Sequence, residues 1–398
     1  MKLPLYFDAH ATTPCDPRVV EAMLPYFTER FGNAASRQHP FGWAAREASD
    51  HARGQIAALI GAKPKDIIFT SGATESNNLA IKGMAEALRA AQTNRRGRHV
   101  VTVETEHRAV LDPCAWLESQ GCEVTRLPVQ PDGLVDVNQL VAALRADTIL
   151  VSVMAANNEI GVLQPLAEIG RETHARGIAF HTDAAQAVGK VPFDVELIHA
   201  DLVSLTAHKI YGPKGVGALF VRRRGPAAEL APVIHGGGHE RGLRSGTLNV
   251  PAIVGFGAAA WLCATEMTAE SARLAALRDR LLIGLQSAND DVLVNGALAA
   301  AVRLPHNLNV AFPGVDGAAL LMAMTDIAVS SGAACATASA EPSHVLRALG
   351  MSEADAKASL RFGLSRFTTA EEVDFVVEKV SAIVSDLRAR RRVRMEGS

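Results

Sequence analysis

The chain has 398 residues, enough for about two or three domains around a large core. Its formal charge of -2 is nearly balanced and implies neither a nucleic-acid nor an anionic-membrane partner, and 48% hydrophobic content is ordinary for a globular protein. No membrane or nucleic-acid partner is expected. The start, Met1 to Asp8, lacks the apolar region of a secretory leader because Pro4 and Asp8 interrupt it. Five cysteines without regular spacing point away from a disulfide framework and toward a reducing compartment, so cytoplasm is the expected location.

In chain order, residues 1–16 read as an extended arm, and a helix starts near Pro17. Phe31 to His39 is a loop, and Gly42 to Ile60 is helical in pattern. Strands and helices then alternate. Ile67–Thr70, His99–Val103, Cys122–Leu127, Thr148–Val153, Ile178–Thr182 and Asp201–Leu205 are short, β-branched and mostly continuously apolar. Such strands are covered on both faces, with helices between most pairs. Gly217–Val221 follows too closely for a crossover helix and is expected to pair antiparallel. The expected fold is therefore α/β: a large domain with a mostly parallel, doubly wound sheet, its site outside the carboxyl ends of the strands. After Val250 come a long helix over 252–289, a strand at 308–312, a small-residue loop at 330–342, a helix ending near Leu349 and a last helix from Ala370. These describe a smaller α+β domain. The expected division is 17–262 for the large domain, and 1–16 with 263–398 for the small one.

Lys209 sits just past a strand, in Ser204–Gly215, where Gly212 and Gly215 let backbone approach a ligand. Alone it reads as a surface lysine. With Asp183 at the end of another apolar strand, it offers an amine for an aldehyde and an acid for a pyridinium nitrogen, the pair used by pyridoxal phosphate. Thr70 to Asn78 closes a strand and opens a helix, so free N–H groups and the Thr74 hydroxyl form an anion cradle, or else an ordinary capped helix. His107 ends the next strand and suits ring stacking or proton transfer. Asn157 ends the strand Thr148–Val153, and Gln186 stands one helical turn from Asp183. The glycine-rich stretch 235–249 carries Arg241, Arg244 and Thr247 for a phosphate or carboxylate, or is simply a surface loop. Cys335 lies among small residues, a setting for a nucleophilic thiol that travels, whereas Cys15, Cys114, Cys122 and Cys263 read as structural. Arg361 on a strand is a candidate for gripping a substrate carboxylate.

The ordered motifs ATTP at 11–14, FTSGATESNN at 69–78, TEHRAVL at 105–111, NNEIGV at 157–162, DAAQ at 183–186, HKIYGPKG at 208–215, HGGGHERGLRSGT at 235–247, SSGAAC at 330–335 and EPSHVLRALG at 341–350 resemble the cysteine desulfurases of the IscS/NifS family, class V aminotransferase-like enzymes of PLP fold type I. The resemblance runs from the first residues to about position 385. It implies an enzyme that converts L-cysteine to L-alanine with pyridoxal phosphate and leaves a persulfide on Cys335. Lys209 would carry the cofactor, Asp183 pair its ring nitrogen, and His107 stack on it and handle protons. Gln186 and Asn157 would contact the phenolate or the substrate. Ala73, Thr74, Thr206 and His208 would hold the phosphate, with Thr247 reaching over from the second subunit of a homodimer. Arg361 would bind the substrate carboxylate. Cys335 would accept the sulfur, serve transiently as an iron–sulfur ligand, and pass sulfur to an iron–sulfur scaffold or another acceptor protein. Thr206 stands where serine is commoner, Ala333 replaces a frequent serine, and the tail from Arg390 to Ser398 is unlike the family's docking tail, which leaves the acceptor open. A class V aminotransferase and a selenocysteine lyase are the rival activities. A non-enzymatic scaffold is disfavoured because Lys209 and Cys335 are both present.

Overall fold

The structure, a computed structural model, describes residues 2–90, 98–226, 230–331 and 342–396. Strand β1 is Leu5–Tyr6, followed by helices α1 (Pro17–Met23), α2 (Pro25–Thr28) and α3 (Pro40–Leu59). Then come β2 (Ile67–Thr70), α4 (Ala73–Ala90), β3 (His99–Val103), α5 (Arg108–Ser119), β4 (Glu123–Leu127), α6 (Val137–Ala143) and β5 (Thr148–Ser152). The large sheet is completed through α7 (Leu166–Ala175), β6 (Ala179–Asp183), β7 (Leu202–Thr206) and β8 (Gly217–Val221). The long α8 (Val250–Ala288) leads to β9 (Leu293–Val294), β10 (Asn307–Ala311), α9 (Gly317–Ala323) and β11 (Ile327–Ala328). Helices α10 (His344–Ala348) and α11 (Glu353–Lys357), strand β12 (Ser359–Gly363) and α12 (Ala370–Glu396) follow.

Among the described residues the main sheet has the order β2-β8-β7-β6-β5-β3-β4. Strands β3 to β7 are parallel, and β8 runs antiparallel to both β7 and β2, as its short connection requires. The period of two divides the strands' side chains. Phe69, Val101 and Phe180 join the core under α3, α6, α7 and the first half of α8. Ile68, Val100 and Ala179 join the opposite core under α4 and α5. A third core holds β10 and β12 against α12 and the second half of α8, and β1 pairs parallel with β11 beside it. Helix α8 is long and apolar enough to cross a membrane. It is a core helix instead, with 56% of its most apolar window buried, packed on α3 and then on α12.

The glycine-rich loop is fastened to this frame by a buried ion pair. Arg53 of α3 donates to both Glu240 carboxylate oxygens at 2.7 and 2.8 Å, and the Phe69 N–H donates to Glu240 at 2.8 Å. Glu240 and Arg241 both take positive φ, 44° and 59°, so these bonds hold a conformation that non-glycine residues avoid.

Candidate active site

All parallel strands of the main sheet end on one side, and a pocket of about 630 Å³ opens there. Its wall is assembled from the ends of β2, β3, β5, β6 and β7, the arm at His10–Thr12, and Arg361 of β12.

Lys209 lies in the turn after β7. The turn closes with Gly212 N–H donating to Ala207 O at 3.0 Å, and Tyr211 inside it takes a φ of 66°. Several contacts hold Tyr211 there: its ring lies 4.1 Å from Lys190 Nζ and 4.0 Å from the Arg366 guanidinium carbon, and its hydroxyl accepts from Arg366 N–H at 2.7 Å. The arm runs along the same turn. Thr13 donates through N–H and hydroxyl to His208 O at 2.9 and 2.8 Å, and Asp16 N–H donates to Tyr211 O at 2.9 Å. Lys209 Nζ itself donates to His10 O and, at 2.8 Å, to Ala11 O.

Asp183 ends β6 and is buried. Its carboxylate accepts from Asn77 Nδ2 at 2.6 Å and from Ala185 N–H at 2.9 Å, and no ion pair involves it among the described residues. Behind it on the same face of β6, His181 is held between the Ser152 and Ser204 hydroxyls at 2.8 and 3.0 Å. Below the pocket, burial and the Asp183 charge push the Glu106 carboxyl well above the usual carboxylate range, which favours its protonated form. His107 caps α5, accepting from Ala109 N–H at 3.1 Å, and burial lowers its basicity so that it stays neutral near pH 7.

The opposite end of the pocket is the N-terminus of α4. Ser71 N–H is taken by Glu75 at 2.7 Å, but Ala73 and Thr74 face the pocket at the positive end of the helix. A Cβ on Gly72 would meet no atom within 4 Å, whereas one on Gly217 of β8 would lie 2.6 Å from Gly72 Cα, so β8 can pass directly beneath this turn. Thr206 and His208 complete this end. Burial and the Lys209 and Lys214 charges depress His208 to about 4, which keeps its ring uncharged. His181 is likewise held at about 4, chiefly by burial. Unfolded histidine titrates near 6.5, so at these two rings the folded chain binds fewer protons than the unfolded one between those values. Their contribution to stability is therefore lost as pH drops from about 6.5 toward 4, while Asp201, raised to about 6 by burial, acts in the opposite direction. Urea-unfolding midpoints of wild type and His181→Gln from pH 7 to 5.5 isolate the ring: the variant should lose less stability over that range than wild type, and an identical pH dependence refutes the assignment.

Of the residues expected from the sequence, Ala73, Thr74, His107, Asp183, Gln186, Thr206, His208, Lys209 and Arg361 line this pocket together. Asn157 does not. Its amide donates to Thr105 O at 2.9 Å and accepts from Glu159 and Ile160 N–H groups, so it builds the turn, and its neighbour Asn158 faces the pocket. Gln186 stands in a run of turns over 184–190 rather than on a helix, and still reaches the wall. Thr247 is exposed and away from the wall. Arg361 is buried, pairing Asp8 at 2.7 Å and donating to Asn158 O at 2.9 Å. Cys335 lies outside the described residues. The chain on either side of it is tied to the site: Arg361 N–H donates to Ser330 O at 2.7 Å, Ser343 donates to Glu159, and His344 bonds Glu106 O at 3.0 Å. His10, Thr12, Asn77, Asn158 and Lys214 were not foreseen at the site. Asn77 had a signal: it falls one turn into a helix between apolar positions, where an amide needs a buried partner.

These residues fit pyridoxal phosphate. A buried carboxylate with no cation beside it suits a protonated ring nitrogen, a helix N-terminus with open space before it suits a phosphate, and Lys209 supplies the amine between them.

The family profile for aminotransferase class-V matches residues 5–376. A relative named cysteine desulfurase IscS from Anaeromyxobacter sp. (strain Fw109-5) is 59% identical over 388 residues, spanning 98% of this chain and 94% of the relative. A solved NifS-like protein superposes with a TM-score of 0.88 at 37% identity, covering 97% of this chain and 100% of that one. A structure described as SspA in complex with cysteine matches with a TM-score of 0.80 at 38% identity, covering 92% and 100%. The chain belongs to the aminotransferase class-V family, in its pyridoxal-phosphate-dependent IscS/NifS branch of cysteine desulfurases.

Proposed function

We propose that this protein takes sulfur from L-cysteine through the pocket at the carboxyl ends of β2, β3, β5, β6 and β7, releasing L-alanine and leaving the sulfur on Cys335. The observation that carries the reading is the convergence of Lys209, the unpaired-with-cation Asp183 carboxylate and the α4 N-terminus on one cavity. When bound, the cofactor supplies an aldehyde for amines and an electron sink for the bond broken at Cα. Lys209 would hold it covalently, and its free amine would remove the Cα proton. Asp183, fixed by Asn77, would keep the ring nitrogen protonated. Ala73 and Thr74 N–H groups, with Thr206 and His208, would hold the phosphate. His107, neutral, would cover the ring and move protons. Asn158, in place of Asn157, joins Gln186 as the amide contact. Arg361, already oriented by Asp8, receives the substrate carboxylate. In the net step the substrate Cβ–Sγ bond breaks, a sulfur–sulfur bond to Cys335 forms and Cβ takes a proton, so no outside oxidant is needed.

A homodimer fits the surface. Phe27, Phe31, Phe41 and Trp43 are each more than half exposed within one stretch of chain, and Phe31 packs on Phe41 at 5.4 Å. Thr247, exposed on its loop, would then serve the neighbouring subunit's pocket. Persulfide on Cys335 passes to an iron–sulfur scaffold or another acceptor protein in the cytoplasm, and Cys335 can serve transiently as a cluster ligand. Residues 17–262 form the cofactor-binding domain, and 1–16 with 263–398 the smaller one.

The test is turnover by the cofactor-loaded protein. With cysteine and a thiol reductant it should release sulfide and alanine in equal amounts without any keto acid. Alanine formation that needs a keto acid, with no sulfide, assigns an aminotransferase instead. Asp183→Asn should weaken cofactor retention about a hundredfold, the value of a charge-assisted bond in a buried site, as read by dialysis against free cofactor. Retention at the wild-type level removes Asp183 from its role.

A further inference from the structure

We propose that His10 of the N-terminal arm is a positioning residue for the reaction, locking the amide of Gln186 and receiving the amine of Lys209. This rests on the roles given to Lys209 and Gln186 above. Gln186 Nε2 donates to His10 O at 3.0 Å, and that contact fixes the amide, since a flipped one would set two oxygens against each other. Its Oε1 therefore faces His10 Nδ1, at 3.1 Å, and Nδ1 must carry the proton. On the other side of the ring, Nε2 lies 3.0 Å from Asn307 Nδ2, which also donates to Glu159 O at 3.1 Å, so Nε2 is an acceptor. A neutral ring with its proton on Nδ1 satisfies every partner. The surroundings hold it in that state: burial acts first, then the charges of Arg361, Lys209 and Lys190, while the His306 ring packs 4.5 Å away.

Both ends of the Gln186 amide are thus gripped by one residue, by its side chain and by its carbonyl. An amide held at two points cannot rotate, so its remaining N–H keeps a single direction in the pocket wall. The same carbonyl accepts from Lys209 Nζ. The acid–base balance at the lysine nitrogen and the orientation of Gln186 are consequently joined through His10.

The experiment compares cofactor-loaded wild type with His10→Ala, His10→Asn and His10→Gln. The readouts are the pH midpoint of the visible cofactor band, kcat and KM separately, and thermal unfolding. His10→Ala should move the midpoint by about half a pH unit and lower kcat about tenfold, the scale of one lost buried hydrogen bond, with KM little changed. His10→Asn can set an N–H near the place of Nδ1 and should recover most of both, whereas His10→Gln, which reaches toward Asn307 instead, should not. The Asn and Gln variants keep the test open if the alanine variant does not fold. A wild-type band with all variants sharing its midpoint and kcat overturns this inference alone. Asn and Gln variants impaired equally also overturn it, leaving His10 as packing. A wild type with no visible band at all overturns the reading of Lys209 and this inference with it.

Discussion

Lys209→Ala is expected to lose turnover by at least about a thousandfold, because on the proposed mechanism it removes both the covalent tether and the base that acts at Cα. The rest of the pocket is independent of it. Asp183 keeps its bonds from Asn77 and Ala185, and the α4 N-terminus with Thr206 and His208 is unchanged. The variant should therefore still take up the cofactor, non-covalently. Borohydride treatment of the loaded wild type should fix the cofactor on the peptide containing Lys209, and the variant should carry no label. The local rival is Lys214, which also lines the pocket. It lies beyond the glycine-ended turn, without the carbonyl cradle of His10 and Ala11 that receives Lys209. Label on Lys214, or turnover surviving in the alanine variant, would remove Lys209 from the centre of the mechanism.

The sheet was legible because its signals are local. Continuously apolar β-branched runs, glycine-bounded, read as strands buried on both faces, and the short link to Gly217–Val221 fixed that strand's direction. Residues at carboxyl ends of strands follow from topology, which is why Thr74, His107, Asp183 and Lys209 were found together. What was missed is long-range. The arm's place beside Lys209 depends on Thr13 bonding His208, 195 residues away, and nothing in the periodicity of the arm records that partner. Asn157 and Asn158 differ only in which way a turn directs each amide. The chain spends the first on its own N–H groups, a choice made by backbone geometry rather than residue type. Gln186 was placed on a helix by its spacing from Asp183, but Gly189, at a φ of 75°, belongs to a run of turns there. The Arg53–Glu240 pair, which anchors the glycine-rich loop, is invisible in sequence for the same reason as the arm.

Cys335→Ala is expected to abolish sulfide release, to below about a thousandth of wild type, while leaving the visible band and the borohydride label unchanged. Among the five cysteines, the other four are poor candidates for a thiolate at the pocket. Burial pushes the Cys114 thiol up to about 12, with Glu106 adding to it, and raises Cys263 and Cys15 as well, so none of these offers a thiolate near pH 7. Cys122 immediately precedes β4, and parallel strands place that end of the sheet opposite the pocket. Cys335 belongs to a stretch whose described ends are tied to Arg361 on one side and to Glu159 and Glu106 on the other, all at the pocket wall or directly behind it. On the proposed reading, a thiolate there would meet the substrate sulfur, and the bond it formed would be the one that frees alanine. An aminotransferase has no use for that thiol and would tolerate its loss. Sulfide release by the alanine variant at the wild-type rate would therefore separate the cofactor chemistry, carried by Lys209, from the sulfur acceptor, and would require the acceptor to be a thiol from outside the chain.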